Sequence, residues 1–105
     1  MEGDGEMAFE VLRAEDLYEY VRKKEYVIVD LRSAGEYQKG HVEGAINIPY
    51  EKFENNNFYL PKYKRIIVYC ERGAASFLVA RKLYDRGYQV YTVIGGYQAI
   101  SKEIH

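Results

Sequence analysis

Short apolar runs alternate along this chain with segments in which apolar residues recur at helical spacing. In residues 14–24, Leu17, Tyr20 and Val21 share one helical face, and charged residues separate them. This spacing predicts an amphipathic helix that lies on a sheet. Residues 26–30 form a β-branched run that is apolar at consecutive positions. Such a run is typical of a parallel strand that is covered on both faces.

The strongest strand pattern covers residues 65–69, which are apolar after Arg65 and lead directly into Cys70. Beyond Gly73 the apolar residues return to helical spacing, and Gly87 supplies a natural helix stop. The predicted order is therefore strand, cysteine loop and helix. The apolar positions of this helix are Ala75, Leu78, Val79 and Leu83.

Shorter patterns account for the remaining chain. Residues 46–49 predict a short strand closed by proline, residues 55–57 a loop of asparagines, and residues 88–93 a last strand. Gly95 and Gly96 then turn the chain into a short C-terminal helix. This helix carries Tyr97, Ile100 and Ile104 on one side. With no internal repeat, the alternation predicts one α/β unit with a mostly parallel sheet and right-handed crossovers.

Length and charge narrow the class of protein. The 105 residues predict a single domain over residues 1–105 with one core. Apolar residues make up 48% and charged residues 30%, which is a globular balance. Lysine and arginine total 15 against 16 acidic residues, so the net charge of −1 does not steer the protein to nucleic acid. The 12 tyrosines suit core packing or a contact surface, and packing is the favoured interpretation.

The cysteine count and the N-terminus favour a cytoplasmic protein. One cysteine cannot form an internal disulfide, and with two histidines it offers no convincing metal site. We therefore predict no metal and no cofactor. Residues 1–6 are acidic and contain glycine, unlike a secretory signal, and residues 1–7 are expected to be loose. No apolar run approaches the roughly 18 residues of a membrane-spanning helix, so no membrane partner is expected.

Cys70 is the main candidate for chemistry, because reactive groups of parallel α/β sheets gather at the carboxyl ends of the strands. Gly73, Ala74 and Ala75 are small enough to let backbone N–H groups converge on its sulfur. Those donors and the helix dipole stabilise a thiolate or a persulfide anion. Arg72 could add positive charge at the rim for an oxyanion such as thiosulfate. The alternative is a cysteine packed as a small apolar side chain.

Four blocks of the sequence follow one another in a specific order. They are Asp30-Leu31-Arg32 with Glu36-Tyr37, the run from Gly40 through His41 to Pro49, the run from Cys70 to Ser76, and Gly95-Gly96. Together they resemble the single-domain rhodanese-like sulfurtransferases over residues 9–104. The resemblance implies a rhodanese-like, three-layer α/β fold, in which a central five-stranded, mostly parallel sheet carries helices on both faces.

The resemblance also implies a reaction at Cys70. Cys70 would be the catalytic residue, and its persulfide would carry sulfane sulfur from a donor such as thiosulfate to a thiol or cyanide acceptor. A sulfur-relay protein is a further candidate partner. The loop from Cys70 to Ala75 would cradle the sulfur, and Glu71 is expected to face solvent. The residues expected to bind substrate are Glu71, Arg72, Gly73, Ala74, Ala75 and Ser76. Many active relatives carry Arg or Thr where this chain has Ala75, which leaves the choice of donor open.

Three polar residues of these blocks are better interpreted as structural. Asp30 and Arg32 bracket a strand end, where an ion pair that holds the loops is favoured over an acid and base pair. His41 lies between two glycines, Gly40 and Gly44, and histidine is the residue type that ordinarily changes charge near neutral pH. A hydrogen bond within a turn is nevertheless favoured for His41 over proton transfer.

Two other functions remain open at this level. A cysteine phosphatase or arsenate reductase needs an arginine six residues after the cysteine, and this chain has Ser76 there. A non-catalytic interaction module is the second alternative, although such modules often lack the thiol that Cys70 provides.

Overall fold

A five-stranded sheet organises residues 9–103, which are the residues that this computed structural model describes. Every neighbouring pair of strands is parallel, and the order across the sheet is β1-β5-β4-β2-β3. The predicted five-stranded parallel sheet is therefore confirmed. The strands are β1 (Glu10–Leu12), β2 (Tyr26–Asp30), β3 (Ile46–Asn47), β4 (Arg65–Tyr69) and β5 (Gln89–Val93).

Helices connect the strands and cover the sheet. A 3-10 helix, Ala14–Glu19, follows β1, and four α-helices follow the other strands in turn. They are α1 (Ala34–Lys39), α2 (Tyr50–Glu54), α3 (Ala74–Asp85) and α4 (Gly96–Glu103). None of these helices is long and apolar enough to span a bilayer. Two predictions, the loose segment 1–7 and the position of Ile104, concern residues outside the described part of the chain.

Strand β4 lies at the centre of the sheet, and its side chains alternate between two apolar clusters. Ile66 and Val68 pack into the cluster beneath α2 and α3, which also contains Phe53 and Leu83. Ile67 and Tyr69 pack on the other face, with Leu17, Val42 and Ile100. Both faces of β4 are thus covered, which is why its sequence is apolar at consecutive positions.

The predicted helix over residues 14–24 is wrong in type and length. The chain forms a 3-10 helix over Ala14–Glu19 and then continues through turns. This connection must cross from β1 at one edge of the sheet to β2, three strands away. A 3-10 helix rises about 2.0 Å per residue against 1.5 Å for an α-helix, so it gives a short connection more reach. The apolar face was predicted correctly, because Leu17 is buried and Tyr20 and Val21 pack beside it.

Helix α3 also differs in detail from its prediction. Leu78, which was expected on the apolar face, is 59% exposed. The buried face instead carries Ser76 and Ala80 together with Val79 and Leu83. A serine in this position escapes a hydrophobicity pattern because its hydroxyl is satisfied inside the protein, by Thr92 and the carbonyl of Gly73.

Candidate active site

Cys70 lies immediately after β4, at the carboxyl end of the central strand. The neighbouring strand β2 ends at Asp30, which pairs with Tyr69, so the end of β2 borders the same site. Cys70 is 7% exposed and contacts the apolar cluster under α3, yet it also lines an open cavity of about 350 Å³. Its sulfur is therefore packed on one side and accessible on the other.

Backbone N–H groups of the following loop point at the sulfur. The amide of Gly73 donates to Sγ at 3.0 Å, and the amide of Ser76 donates at 3.3 Å. Gly73 is the N-cap of α3 and lies in the left-handed region, with φ of 109°. Ser76 is then the third residue of the helix, so Cys70 Sγ occupies the place of an N-cap acceptor. The positive end of the α3 dipole and two amide donors thus favour negative charge on the sulfur.

The N-terminus of α4 forms hydrogen bonds with the loop that follows Cys70. The amides of Tyr97 and Gln98 donate to the carbonyls of Cys70 and Glu71, at 2.7 and 3.0 Å. This contact requires glycine at position 96, because a Cβ there would lie 2.4 Å from the carbonyl oxygen of Cys70. The φ of Gly96 is also positive, at 59°. Gly95-Gly96 therefore does more than turn the chain, since it brings α4 against the cysteine loop.

The six residues predicted to bind substrate do not all present side chains to the cavity. Arg72 and Ala74 are exposed and line the cavity beside Cys70, as does the half-buried Ala75. Ser76 is completely buried, so only its backbone amide reaches the sulfur. Gly73 likewise contributes only its amide.

Glu71 lies at the rim of the cavity and is only partly in solvent. Its side chain is 42% exposed, and Oε1 lies 3.5 Å from Nη1 of Arg32. The expectation that Glu71 faces solvent therefore misses an ion pair. Local sequence could not reveal this contact, because Arg32 belongs to the loop after a different strand.

Asp30 and Arg32 form a buried ion pair beneath the cavity, with side-chain exposures of 0% and 6%. Arg32 Nη2 donates to Asp30 Oδ2 at 2.9 Å and to the carbonyl of Gly40 at 2.6 Å, while Arg32 N donates to Asp30 Oδ1 at 2.8 Å. Burial alone would lower the pKa of Arg32, but the hydrogen bonds and charge of Asp30 raise it overall. The guanidinium therefore stays charged, and it ties the strand end to the turn at Gly40.

Two tyrosines complete this network and were missed by the sequence patterns. The Tyr69 hydroxyl donates to Asp30 Oδ2 at 2.6 Å and accepts from the amide of Val42 at 3.1 Å. Burial, followed by the hydrogen bond to Asp30, raises the pKa of Tyr69 well above its ordinary value. The Tyr97 ring stacks on Arg32, whose guanidinium carbon lies 3.9 Å from the ring centroid. The glycine pair before Tyr97 was the one available signal.

His41 lies away from Cys70 in the turn after α1. Its ring is stacked on Tyr37, with centroids 3.8 Å apart, and Nδ1 is 2.7 Å from the carbonyl oxygen of Tyr37. These contacts fit the hydrogen-bonding role in a turn. Over residues 9–103, no three side chains of the types His, Cys, Asp or Glu are grouped to hold a metal ion.

Comparison with protein-family models identifies one family. The model of the rhodanese-like domain matches residues 13–103, which include both strand ends of the site and the cysteine loop.

Named relatives and a solved structure point the same way. The chain is 32% identical over 84 residues to a thiosulfate sulfurtransferase GlpE of Coxiella burnetii, covering 79% of this chain and 78% of that protein. It is 37% identical to a tRNA sulfurtransferase of Desulfurococcus amylolyticus, over 67% of this chain but 14% of that longer protein. The crystal structure of a rhodanese-related protein from Thermoplasma volcanium superposes with a TM-score of 0.82 at 29% identity. That match covers 92% of this chain and 95% of the other.

Proposed function

The chain belongs to the rhodanese-like domain family, and on this premise we propose that it is a sulfurtransferase with Cys70 as its catalytic residue. It takes sulfane sulfur from a donor such as thiosulfate and passes it to a thiol or to cyanide. The proposal extends what the names of the relatives say of those proteins, which include thiosulfate and tRNA sulfurtransferases.

One observation carries the proposal: the sulfur of Cys70 accepts amide hydrogen bonds from Gly73 and Ser76 while it borders an open cavity. A structural cysteine packed only as an apolar side chain does not need a cradle of donors at a helix N-terminus. An anionic nucleophile does, because each charge-assisted hydrogen bond stabilises the thiolate before the reaction and the persulfide after it.

The reaction proceeds by two displacements. The Cys70 thiolate attacks the outer sulfur of thiosulfate, the S–S bond of the donor breaks, and its electron pair leaves with sulfite. Cys70 then holds the transferred sulfur as a persulfide anion. A thiolate or cyanide attacks that outer sulfur, and Cys70 leaves as a thiolate. Each half-reaction conserves charge and needs no external oxidant, so ping-pong kinetics are expected.

The surrounding side chains have separate tasks in this reaction. Arg72 at the rim attracts the anionic donor, since it is exposed and borders the cavity. Asp30 and Arg32 act as positioning residues, because their ion pair fixes the strand end and the turn at Gly40 rather than touching the sulfur. Four further statements stay predictions: a cytoplasmic location, a domain that extends over residues 1–105, a sulfur-relay partner and the absence of a cofactor.

Replacement of the nucleophile tests the function directly. The purified protein should convert thiosulfate and cyanide to thiocyanate, and Cys70→Ser should lower the rate by about a thousandfold or more. Mass spectrometry after thiosulfate treatment should find one added sulfur atom on the native protein and none on the variant.

The same experiment separates the competing functions. Activity that survives in Cys70→Ser would remove Cys70 from the mechanism. A native protein that neither gains sulfur nor forms thiocyanate would favour the non-catalytic module. Hydrolysis of an aryl phosphate in its place would favour a phosphatase, although Ser76 occupies the position where that loop needs arginine.

A further inference from the structure

A second cavity, of about 520 Å³, opens between α1 and α4 beside the cavity that contains Cys70. We call it the α1–α4 valley. Lys39 of α1 and Lys102 of α4 form its walls, and Tyr97 forms part of its floor. Its volume lies within the range of sites for small molecules. Nothing in the reaction with thiosulfate uses this space.

Three charged residues separate the valley from the reactive sulfur. Arg32, Glu36 and Glu71 line both the valley and the Cys70 cavity, so they form the ridge between the two. A molecule in the valley that reaches across this ridge brings one end to the sulfur.

The charges of the ridge and of the valley walls differ in sign. On the ridge, Asp30 already binds the guanidinium of Arg32 from below, at 2.9 Å. The carboxylates of Glu36 and Glu71 therefore leave the ridge with excess negative charge. Lys39 and Lys102 line only the valley, and Arg72 lines only the Cys70 cavity, so the negative ridge lies between two positive regions. A complementary ligand carries a cation near its reactive end and an anion farther from it.

We propose that the α1–α4 valley binds the sulfur acceptor, and that this acceptor is a small zwitterionic thiol of the amino-acid or short-peptide class. The inference rests on the proposed function. The ammonium group beside the thiol lies near Glu36 and Glu71, and the carboxylate lies near Lys39 and Lys102. The acceptor thiol gives its proton to water, and its thiolate attacks the outer sulfur of the Cys70 persulfide. The Cys70–sulfur bond breaks, and the acceptor leaves as a persulfide.

Three probes test this assignment: cysteinylglycine, its C-terminal amide, which lacks the carboxylate charge, and its N-acetyl derivative, which lacks the ammonium charge. Transfer from thiosulfate is measured at low ionic strength, where exposed charges act most strongly. For the double variant Lys39→Gln/Lys102→Gln, the KM for cysteinylglycine should rise about fivefold, because two exposed ion pairs are lost. The KM for the amide should stay the same. The control variant Lys24→Gln/Lys52→Gln removes two exposed lysines elsewhere and should change neither KM.

The ammonium contact is tested with Glu36→Gln, which keeps the N-terminal cap of α1 because glutamine also serves in a capping box. This variant should raise the KM for cysteinylglycine and leave the KM for the N-acetyl probe unchanged. Comparing each variant with the native protein on the same probe removes the differences in thiol reactivity between probes.

Cyanide turnover distinguishes the two hypotheses. If thiocyanate forms but the lysine variant alters the KM for all three probes equally, or for none, the valley is not the acceptor site and only this inference fails. If no thiocyanate forms, the sulfurtransferase proposal itself fails. Binding of S-methyl cysteinylglycine, followed by the NMR shifts of amides in α1 and α4, then decides whether the valley takes zwitterions at all. Shifts in the native protein that weaken in the lysine variant support it, and their absence overturns it.

Discussion

Tyr69 links the geometry of one strand end to the stability of the fold. Its hydroxyl is the donor to Asp30 and the acceptor for Val42, so Tyr69→Phe leaves each of these buried groups with one partner fewer. We expect the free energy of unfolding at pH 7 to fall by about 1–3 kcal/mol. Chemical denaturation of both proteins measures this loss.

The same substitution has a pH signature. The pKa of Tyr69 is raised in the folded protein, so the folded state retains a proton that the unfolded chain releases near its ordinary pKa of 10. The native protein therefore loses stability above about pH 10, at up to about 1.4 kcal/mol per pH unit from this group. Tyr69→Phe lacks this loss, so the difference between the two proteins should shrink from pH 10 upward. A difference that stays constant to pH 11 would contradict the role of the buried phenol.

At the scale of single residues, the sequence predicts those positions and contacts that are set by residues nearby along the chain. Cys70 follows a strand and precedes small residues, so its place at a strand end could be predicted. Asp30 and Arg32 are two residues apart, and their pairing could be predicted as well. The role of Tyr69 could not be predicted, because its hydroxyl forms hydrogen bonds with residues 39 and 27 positions away. Within its own strand, Tyr69 fits the pattern as one more apolar residue.

At the scale of elements, the contact between α4 and the cysteine loop is the most sensitive to substitution. Gly96→Ala should place a methyl group against the carbonyls of Cys70 and Glu71 and force a positive φ on alanine. We expect a loss of about 2 kcal/mol or more in stability, and a larger proportional loss in sulfur transfer, because the loop amides lose their alignment.

Gly35→Ala is the matched control for this prediction. Gly35 lies in α1, and a Cβ there meets nothing within 4 Å. This variant should be as stable as the native protein or more stable by about 0.5–1 kcal/mol, with unchanged activity. If Gly96→Ala matched Gly35→Ala in thermal unfolding and in thiocyanate formation, the close approach of α4 would have no importance.

The patterns predicted none of β1, α1 and α2, and the first two of these bury little. Strand β1 has three residues at the edge of the sheet, and α1 has six residues, none of them buried. A hydrophobic pattern detects a buried face, so such elements leave no signal. The start of α1 is nevertheless encoded as a capping box, with Ser33 and Glu36 three residues apart.

At the scale of the whole molecule, stability should decrease from the centre of the sheet to its edges. The residues of β4 from Ile66 to Tyr69 are fully buried, and those from Ile66 to Val68 are paired with a strand on both sides, whereas β1 pairs only with β5. In hydrogen exchange, the β4 amides should exchange only through global unfolding, and those of β1 should exchange about a hundredfold faster or more. Equal protection of β1 and β4 would show that the sheet opens as one unit.

The strand order was the part of the fold that local patterns could not supply. Chain order places β1 first, yet β1 pairs with β5, the last strand, and the connection after β1 passes two strands, β5 and β4, before it reaches β2. No pattern within residues 10–24 indicates how far apart β1 and β2 lie in the sheet. The choice of a 3-10 helix over an α-helix follows from the path that the finished sheet imposes.

The position of Cys70 sulfur as the acceptor at the start of α3 makes the reactive atom part of the protein's own framework. A reagent that alkylates Cys70 converts a thiolate to a neutral thioether. The protein then loses the proposed nucleophile and also the negative partner of the Gly73 and Ser76 amides. Loading with sulfur keeps an anion within the cradle instead. We therefore expect the protein to keep its thermal stability through the proposed reaction cycle and to lose stability when Cys70 is alkylated, so that the melting temperature reports the chemical state of a single atom.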